Sequence, residues 1–220
     1  MCGRFTQYYS WQELVEMYDL TGTPQNIEER YNIAPTSDVW TIRADGKGRY
    51  VSKMRWGLIL PWWKDSDKQL ATFNARAESV ASKPTYRSAF KARRCIVPMS
   101  GFYEWLTEGK TKRPHDVTLA SGEPMSAAGL WETREIEGQE LLSCTIITTD
   151  ANYAMSRVHN RMPVILGRYS LDAWLHARAG EGALNPCPSD RLSIVEISQR
   201  VNRTKDGYDD PDCIKPLHDQ

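Results

Sequence analysis

The chain has 220 residues, is 40% hydrophobic and 25% charged, and carries 28 basic against 28 acidic residues, for a formal net charge of zero. This length allows one large domain or two small ones, and a chain of this size buries about 70% of its unfolded surface around a core. Zero net charge excludes bulk electrostatic attachment to nucleic acid but not a local basic cleft, and no apolar run is long enough to span a membrane.

The N-terminus shows no basic-then-apolar signal pattern, so a soluble, intracellular protein is expected. The five cysteines at 2, 95, 144, 187 and 213 form no CxxC or Cys/His metal spacing, so no metal site is expected. Their odd number and scatter point to a reducing compartment with buried or functional thiols. Eight Trp and ten Tyr are many for the length, and some should serve as surface binding platforms.

In chain order, Cys2-Gly3-Arg4 comes first. Once Met1 is removed, Cys2 carries a thiol and an α-amine on adjacent carbons. The amine titrates at about 7.7–8.0 and the thiol near about 8.5, so both nucleophiles are partly available at neutral pH. An aldehyde meeting this pair forms an imine with the amine, and the thiol then closes a five-membered thiazolidine. The alternative is that a small residue merely follows the initiator. Ser10-Trp11-Gln12-Glu13 is a capping box, and Trp11, Leu14, Val15 and Tyr18 recur at helical spacing, which predicts a helix over 11–19. Thr21 to Pro24 breaks it. Tyr31 to Pro35 reads as an extended loop, because Pro35 holds its predecessor out of the α region.

Residues 38–43 and 49–56 read as strands around the turn Ala44 to Gly48. Leu60 to Asp65 is a proline-broken loop with paired indoles, followed by a polar stretch to Gln69. Residues 73–81 and 86–93 look helical or irregular, split at Pro84. Strand signals follow at 94–98, 102–106, 115–120, 125–131 and 140–148. Ser170 caps a helix to about Ala177, 179–188 is a loop, 192–198 is a strand, and the tail from Asn202 is polar. Short strands at turn-length spacing suggest an antiparallel sheet curling toward a barrel or sandwich. The fold class expected is α+β, a single domain over 1–220 with a mainly antiparallel core and peripheral helices.

Several residues suit chemistry or binding. Glu104 lies in the aromatic strand Gly101-Phe102-Tyr103-Glu104-Trp105, where burial would raise its pKa toward a value useful for proton transfer; the alternative is an edge carboxylate facing water. His159 lies in the polar loop Val158 to Pro163, where it is either a proton carrier or a structural hydrogen-bonding group. Of the other histidines, His176 reads as helix surface and His218 as tail. In Phe73 to Glu78, an extended backbone points Asn74 and Arg76 the same way, whereas a helix start makes Asn74 an N-cap. Trp62 and Trp63 suit stacking on bases, and Arg4, Arg55, Arg76 and Arg161 suit a phosphate track.

Together these pieces resemble the SRAP (SOS response-associated peptidase) family. The matching segments are Met1-Cys2-Gly3-Arg4-Phe5, Arg30 to Pro35, Arg55-Trp56-Gly57-Leu58, Asn74 to Glu78, Arg94 to Pro98, Gly101 to Trp105, Ala128 to Trp131, Thr148-Thr149 and His159 to Pro163. They run in the family's order over nearly the whole chain. One departure is that the family usually reads Trp-Gly-Leu-Ile-Pro, whereas here Leu60 holds the proline's place and Pro61 follows. Which of Trp62 and Trp63 meets the bases is left open by that shift.

The resemblance implies a β-barrel-like core and a sensor of abasic sites in single-stranded DNA that links itself covalently to them. It implies catalytic roles for Cys2, Asn74, Glu104 and His159. It also implies DNA contacts from Arg4, Pro35, Trp62, Trp63, Arg76, Trp105, Thr148, Arg161 and Met162, and peptidase-like self-processing that exposes Cys2. A cytoplasmic monomer without cofactor is expected, nucleoid-associated if bacterial. Two rival readings are an N-terminal-nucleophile hydrolase of the glutamine amidotransferase type, which also begins Met-Cys-Gly, and a non-catalytic reader of modified or single-stranded DNA.

Overall fold

A computed structural model describes residues 2–63, 72–204 and 208–217. Met1, the polar stretch 64–69 and His218 lie outside the described residues. In chain order the elements are β1 (Phe5–Gln7), α1 (Trp11–Tyr18), β2 (Arg30–Ile33), β3 (Asp38–Asp45), β4 (Gly48–Trp56), β5 (Asn74–Arg76), α2 (Arg87–Ala92), β6 (Arg94–Met99), β7 (Gly101–Glu108), β8 (Thr111–Leu119), β9 (Met125–Ile136), β10 (Gln139–Asp150), β11 (Arg161–Pro163), α3 (Leu171–Leu175) and β12 (Leu192–Glu196).

Strands β10, β4, β3, β6 and β9 pair in that order, and β9 pairs back onto β10, which closes a five-stranded barrel. Closure leaves no free edge among these five strands. Two short strands, β5 and β11, hang on the far end of β10. A second sheet runs β12-β8-β7-β1-β2. Most pairs are antiparallel, as expected, but β10 runs parallel to both β4 and β5.

Strand alternation divides the core. On β6, Cys95 and Val97 join a cluster with Cys2, Phe5, Trp56 and Phe102, while Ile96 joins the helix-side cluster of Leu14, Phe90 and Trp174. Fully buried Trp56 meets Phe5 edge-on at 4.8 Å and Phe73 at 5.9 Å, so one indole ties β1, β4 and the approach to β5. Its Nε1 donates to the Phe73 carbonyl at 2.8 Å.

The capping box forms as expected: Glu13 N donates to Ser10 Oγ at 3.2 Å and Ser10 N donates to Glu13 Oε2 at 2.7 Å. Three local expectations are corrected. The stretch expected as a loop at Tyr31 is the strand β2, because it pairs with β1 and the Asp209 carboxylate accepts from Asn32 N at 2.8 Å. The segment from Asn74 is a strand, not a helix start, because β10 captures its backbone. The helix after Ser170 stops at Leu175, and Ser170 makes no side-chain cap.

Candidate active site

The antiparallel register Phe5↔Phe102 between β1 and β7, continued toward the N-terminus, lays residues 2–4 alongside 103–105. Tyr103 N donates to Arg4 O at 2.9 Å, which fixes that alignment. Cys2 is fully buried there. Burial pushes its thiol pKa far up, and the Glu104 charge adds to the rise. The surroundings therefore favour the neutral S–H form of the side chain.

The amide of Asn74 holds this segment. Its Nδ2 donates to the Cys2 carbonyl at 2.6 Å. Asn74 Oδ1 is buried and has no hydrogen-bond partner among the described residues, which leaves it open as an acceptor. The backbone under it is fixed by the parallel register Asn74↔Ile146 and by Tyr86 Oη, which donates to Asn74 O at 3.1 Å.

Glu104 is only 3% exposed, so the edge-carboxylate alternative does not hold: β7 is an interior strand flanked by β1 and β8. Burial raises the Glu104 pKa, and the nearby His159 charge opposes that rise. Cys2, Glu104 and His159 thus act on one another electrostatically within one site. At His159, Arg161 N donates to Nδ1 at 3.0 Å, and the Arg161 carbonyl lies 3.2 Å from the same nitrogen. The Arg161 backbone thus presents both a donor and an acceptor to the same ring nitrogen.

The expected binding residues separate into three groups. Arg76 is exposed, and its side chain makes no hydrogen bond or ion pair among the described residues. Trp62 is 65% exposed, whereas Trp63 is 8% exposed and packs in the helix-side core, so the indole open to solvent is Trp62. Pro35 is half-buried and lines a cavity of about 240 Å³ with Trp63, Arg55 and Phe73.

A second group is already engaged. Arg161 is paired with Glu78 and with Asp150 at 2.7 Å, and it donates to Thr148 O at 2.6 Å. Arg4 donates to Asn32 Oδ1 at 2.6 Å and to Val201 O at 2.8 Å, with its guanidinium 5.8 Å from the Trp105 ring centroid. Trp105 in turn donates to Asn202 Oδ1 at 2.7 Å. Arg55 donates to Gly57 O at 2.9 Å.

Thr148 and Met162 form the third group. Both are fully buried, so their side chains are closed to solvent.

Three residues near the site carried no readable signal. Glu78 and Asp150 engage Arg161 across 83 and 11 positions. His115 lies opposite Glu104 in the β7–β8 register, and only the hairpin pairing Glu108↔Thr111 around Gly109-Lys110 reveals that.

A closed five-stranded barrel with a second sheet beside it, and a buried cysteine near the N-terminus held by an amide next to a buried carboxylate, mark a domain of one particular kind. The chain belongs to the SOS response associated peptidase (SRAP) family, whose sequence profile matches residues 1–204. It is 37% identical over 214 residues to the abasic site processing protein YoqW of Bacillus subtilis, covering 93% of this chain and 96% of that one. It is 30% identical over 202 residues to the abasic site processing protein HMCES of Gallus gallus, covering 79% of this chain and 60% of that one. A solved structure of a Bacteroides thetaiotaomicron protein shares the fold with a TM-score of 0.87, at 23% identity over 98% of this chain and 99% of that one.

Proposed function

We propose that this protein recognises abasic sites in single-stranded DNA and links itself to them through Cys2. The observation that carries the reading is the Asn74–Cys2 contact beside buried Glu104: the residue with the reactive pair is held by its own carbonyl, next to a carboxylate with a raised pKa. The names of the relatives supply the substrate class.

Hydrolysis of the Met1–Cys2 peptide bond frees the amine, by self-processing or by an aminopeptidase. The abasic sugar opens to its aldehyde, with His159 moving the proton at the ring oxygen. The Cys2 nitrogen adds to C1′, water leaves, and an imine remains. The Cys2 S–H then adds across the imine: sulfur bonds to carbon and the proton goes to nitrogen. The sum is aldehyde plus cysteine giving thiazolidine plus water. Glu104 takes the proton from the ammonium first and relays protons in the later steps. Asn74 positions the reacting segment, and its vacant Oδ1 can accept from the amine. The imine acidifies C2′, so weak β-elimination accompanies the main path, and Glu104 serves the reverse reaction by microscopic reversibility.

Intact-mass analysis of the protein after mixing with an abasic oligonucleotide tests this. The expected adduct equals the chain without Met1, plus the oligonucleotide, minus one water. Cys2→Ala should yield no stable adduct, and an adduct of wild-type stability in that variant would overturn the reading.

A further inference from the structure

We infer that a groove on the His159 side of the site binds the nucleotide that flanks the abasic sugar, stacking its base on Tyr153 and pairing its phosphate with Arg157. The inference rests on the function proposed above. The groove has a volume of about 450 Å³ and is lined by Leu106, His115, Tyr153, Arg157, Val158 and Ile194 among others. That size falls in the range of small-molecule sites, roughly 300–1,000 Å³.

Its position follows from the register. His115 lies opposite Glu104, and Leu106 is two residues along the same face of β7. Ile194 pairs with Val117, two residues beyond His115 on β8. Val158 directly precedes His159. The groove therefore begins where the catalytic set ends.

Its chemistry suits a nucleotide. Leu106, Val158 and Ile194 give an apolar floor. Tyr153 is 74% exposed, one of few large apolar side chains left in solvent. The Arg157 guanidinium lies 5.0 Å from its ring centroid, and Arg157 Nη2 donates to Tyr153 Oη at 3.0 Å. One ring face and one cation are thus presented together, the pair that an unpaired base and its phosphate require. The Arg113 carbonyl lies 3.0 Å from His115 Nδ1 and can only accept, so Nδ1 carries the proton and Nε2 is the ring's acceptor in its neutral form. A second exposed indole, Trp62, packs edge-on against Trp63, which lines a separate cavity together with Phe73, the residue before Asn74.

The test uses oligonucleotides carrying a tetrahydrofuran abasic analogue, which has no aldehyde and cannot crosslink, trimmed one nucleotide at a time from either end. Dissociation constants are read by fluorescence anisotropy for the wild type, Tyr153→Ala, Tyr153→Phe and Arg157→Ala. Tyr153→Ala should weaken binding of the full strand by about five-fold or more, and Tyr153→Phe, which keeps the ring, should restore most of it. The loss should vanish once the flank on one side, and only that side, is removed. Wild-type affinity in Tyr153→Ala and Arg157→Ala, or an equal penalty on every trimmed strand, would overturn the assignment and leave the groove to a protein or other ligand. Crosslinking of a true abasic strand, run in parallel, reads the chemistry separately: its failure would overturn the Cys2 reading while the anisotropy series still decides the groove.

Discussion

Two acidic side chains at the site carry opposite instructions from their surroundings. Glu104 is buried and its pKa is raised, so at neutral pH it lies closer to its protonated form than a surface glutamate does. Glu78 is exposed and paired with Arg161, which holds its carboxyl below the ordinary range. Only Glu104 is therefore suited to exchange protons during turnover. Single-turnover crosslinking should fall as pH drops through the folded Glu104 value, and that acid limb should lie above the pH at which an ordinary glutamate would place it. Glu104→Gln should slow crosslinking by about 10²–10⁴-fold, abolish the limb and leave strand binding intact. His159→Gln should act on opening of the closed sugar, so a substrate supplied as the open aldehyde should rescue it and not Glu104→Gln. Equal rescue of both variants would show that the two groups do not divide the work.

At the scale of elements, the β7–β8 hairpin carries a second buried carboxylate that the chemistry does not use. Asp116 is 8% exposed, its Oδ1 has no hydrogen-bond partner, and burial pushes its pKa up to about 7. Gly101 permits this packing: a Cβ there would lie 2.7 Å from Asp116 Oδ1. A pKa raised in the folded state means that the folded protein binds the proton more tightly. The stabilisation is complete below the unfolded value of about 4, declines as pH rises, and is gone above about 7. Asp116→Asn should flatten the fall in unfolding free energy over that window by an amount on the order of a few kcal/mol, read by chemical denaturation at several pH values; an unchanged stability–pH curve would remove Asp116 as its source. The turn joining β2 to β3 offers another test. Ser37 N donates to Ala34 O at 3.2 Å, with Pro35 second and Thr36 third at φ 77°, where a type II turn favours glycine. Thr36→Gly should relieve strain and raise stability by up to about 1 kcal/mol, read by chemical denaturation.

These elements also show what a sequence carries. The start of α1 was legible because Ser10 and Glu13 are three residues apart and satisfy each other locally. The longer strands were legible in type but short at their ends, whereas β2 and β5 were not read as strands: β7 and β8 extend to Glu108 and Thr111 because each supplies the other's hydrogen bonds. Residues 74–76 were ambiguous because their conformation is decided by β10, some seventy positions away. The same limit applied at the site. Cys2, Asn74, Glu104 and His159 were named from residue type and family resemblance, and the structure places Asn74 in contact with Cys2 and Glu104 within electrostatic reach of it. The burial of Thr148 and Met162, and the carboxylates on Arg161, follow from long-range packing that no local pattern records.

For the whole molecule, zero net charge places the burden of strand attraction on the local arrangement of cations and anions around the site. The candidate arginines are unequal in this respect. Arg76 is exposed and uncommitted among the described residues, while Arg161 has its charge offset by Glu78 and Asp150. An incoming phosphate must compete with those two carboxylates for Arg161, whereas Arg76 has no ion-pair partner among the described residues and only feels the Glu78 charge at a distance. Each phosphate contact on a single strand contributes roughly −0.7 to the slope of log affinity against log salt. Arg76→Ala should therefore flatten that slope by about 0.7 and weaken binding without regard to sequence. Glu78→Gln should do the reverse, tightening binding at low salt and steepening the slope, because it frees Arg161 for phosphate. Titrations of labelled single strands over a range of salt concentrations distinguish the two. A Glu78→Gln protein that binds more weakly than the wild type would mean that Glu78 holds Arg161 in its working position and does not compete for it.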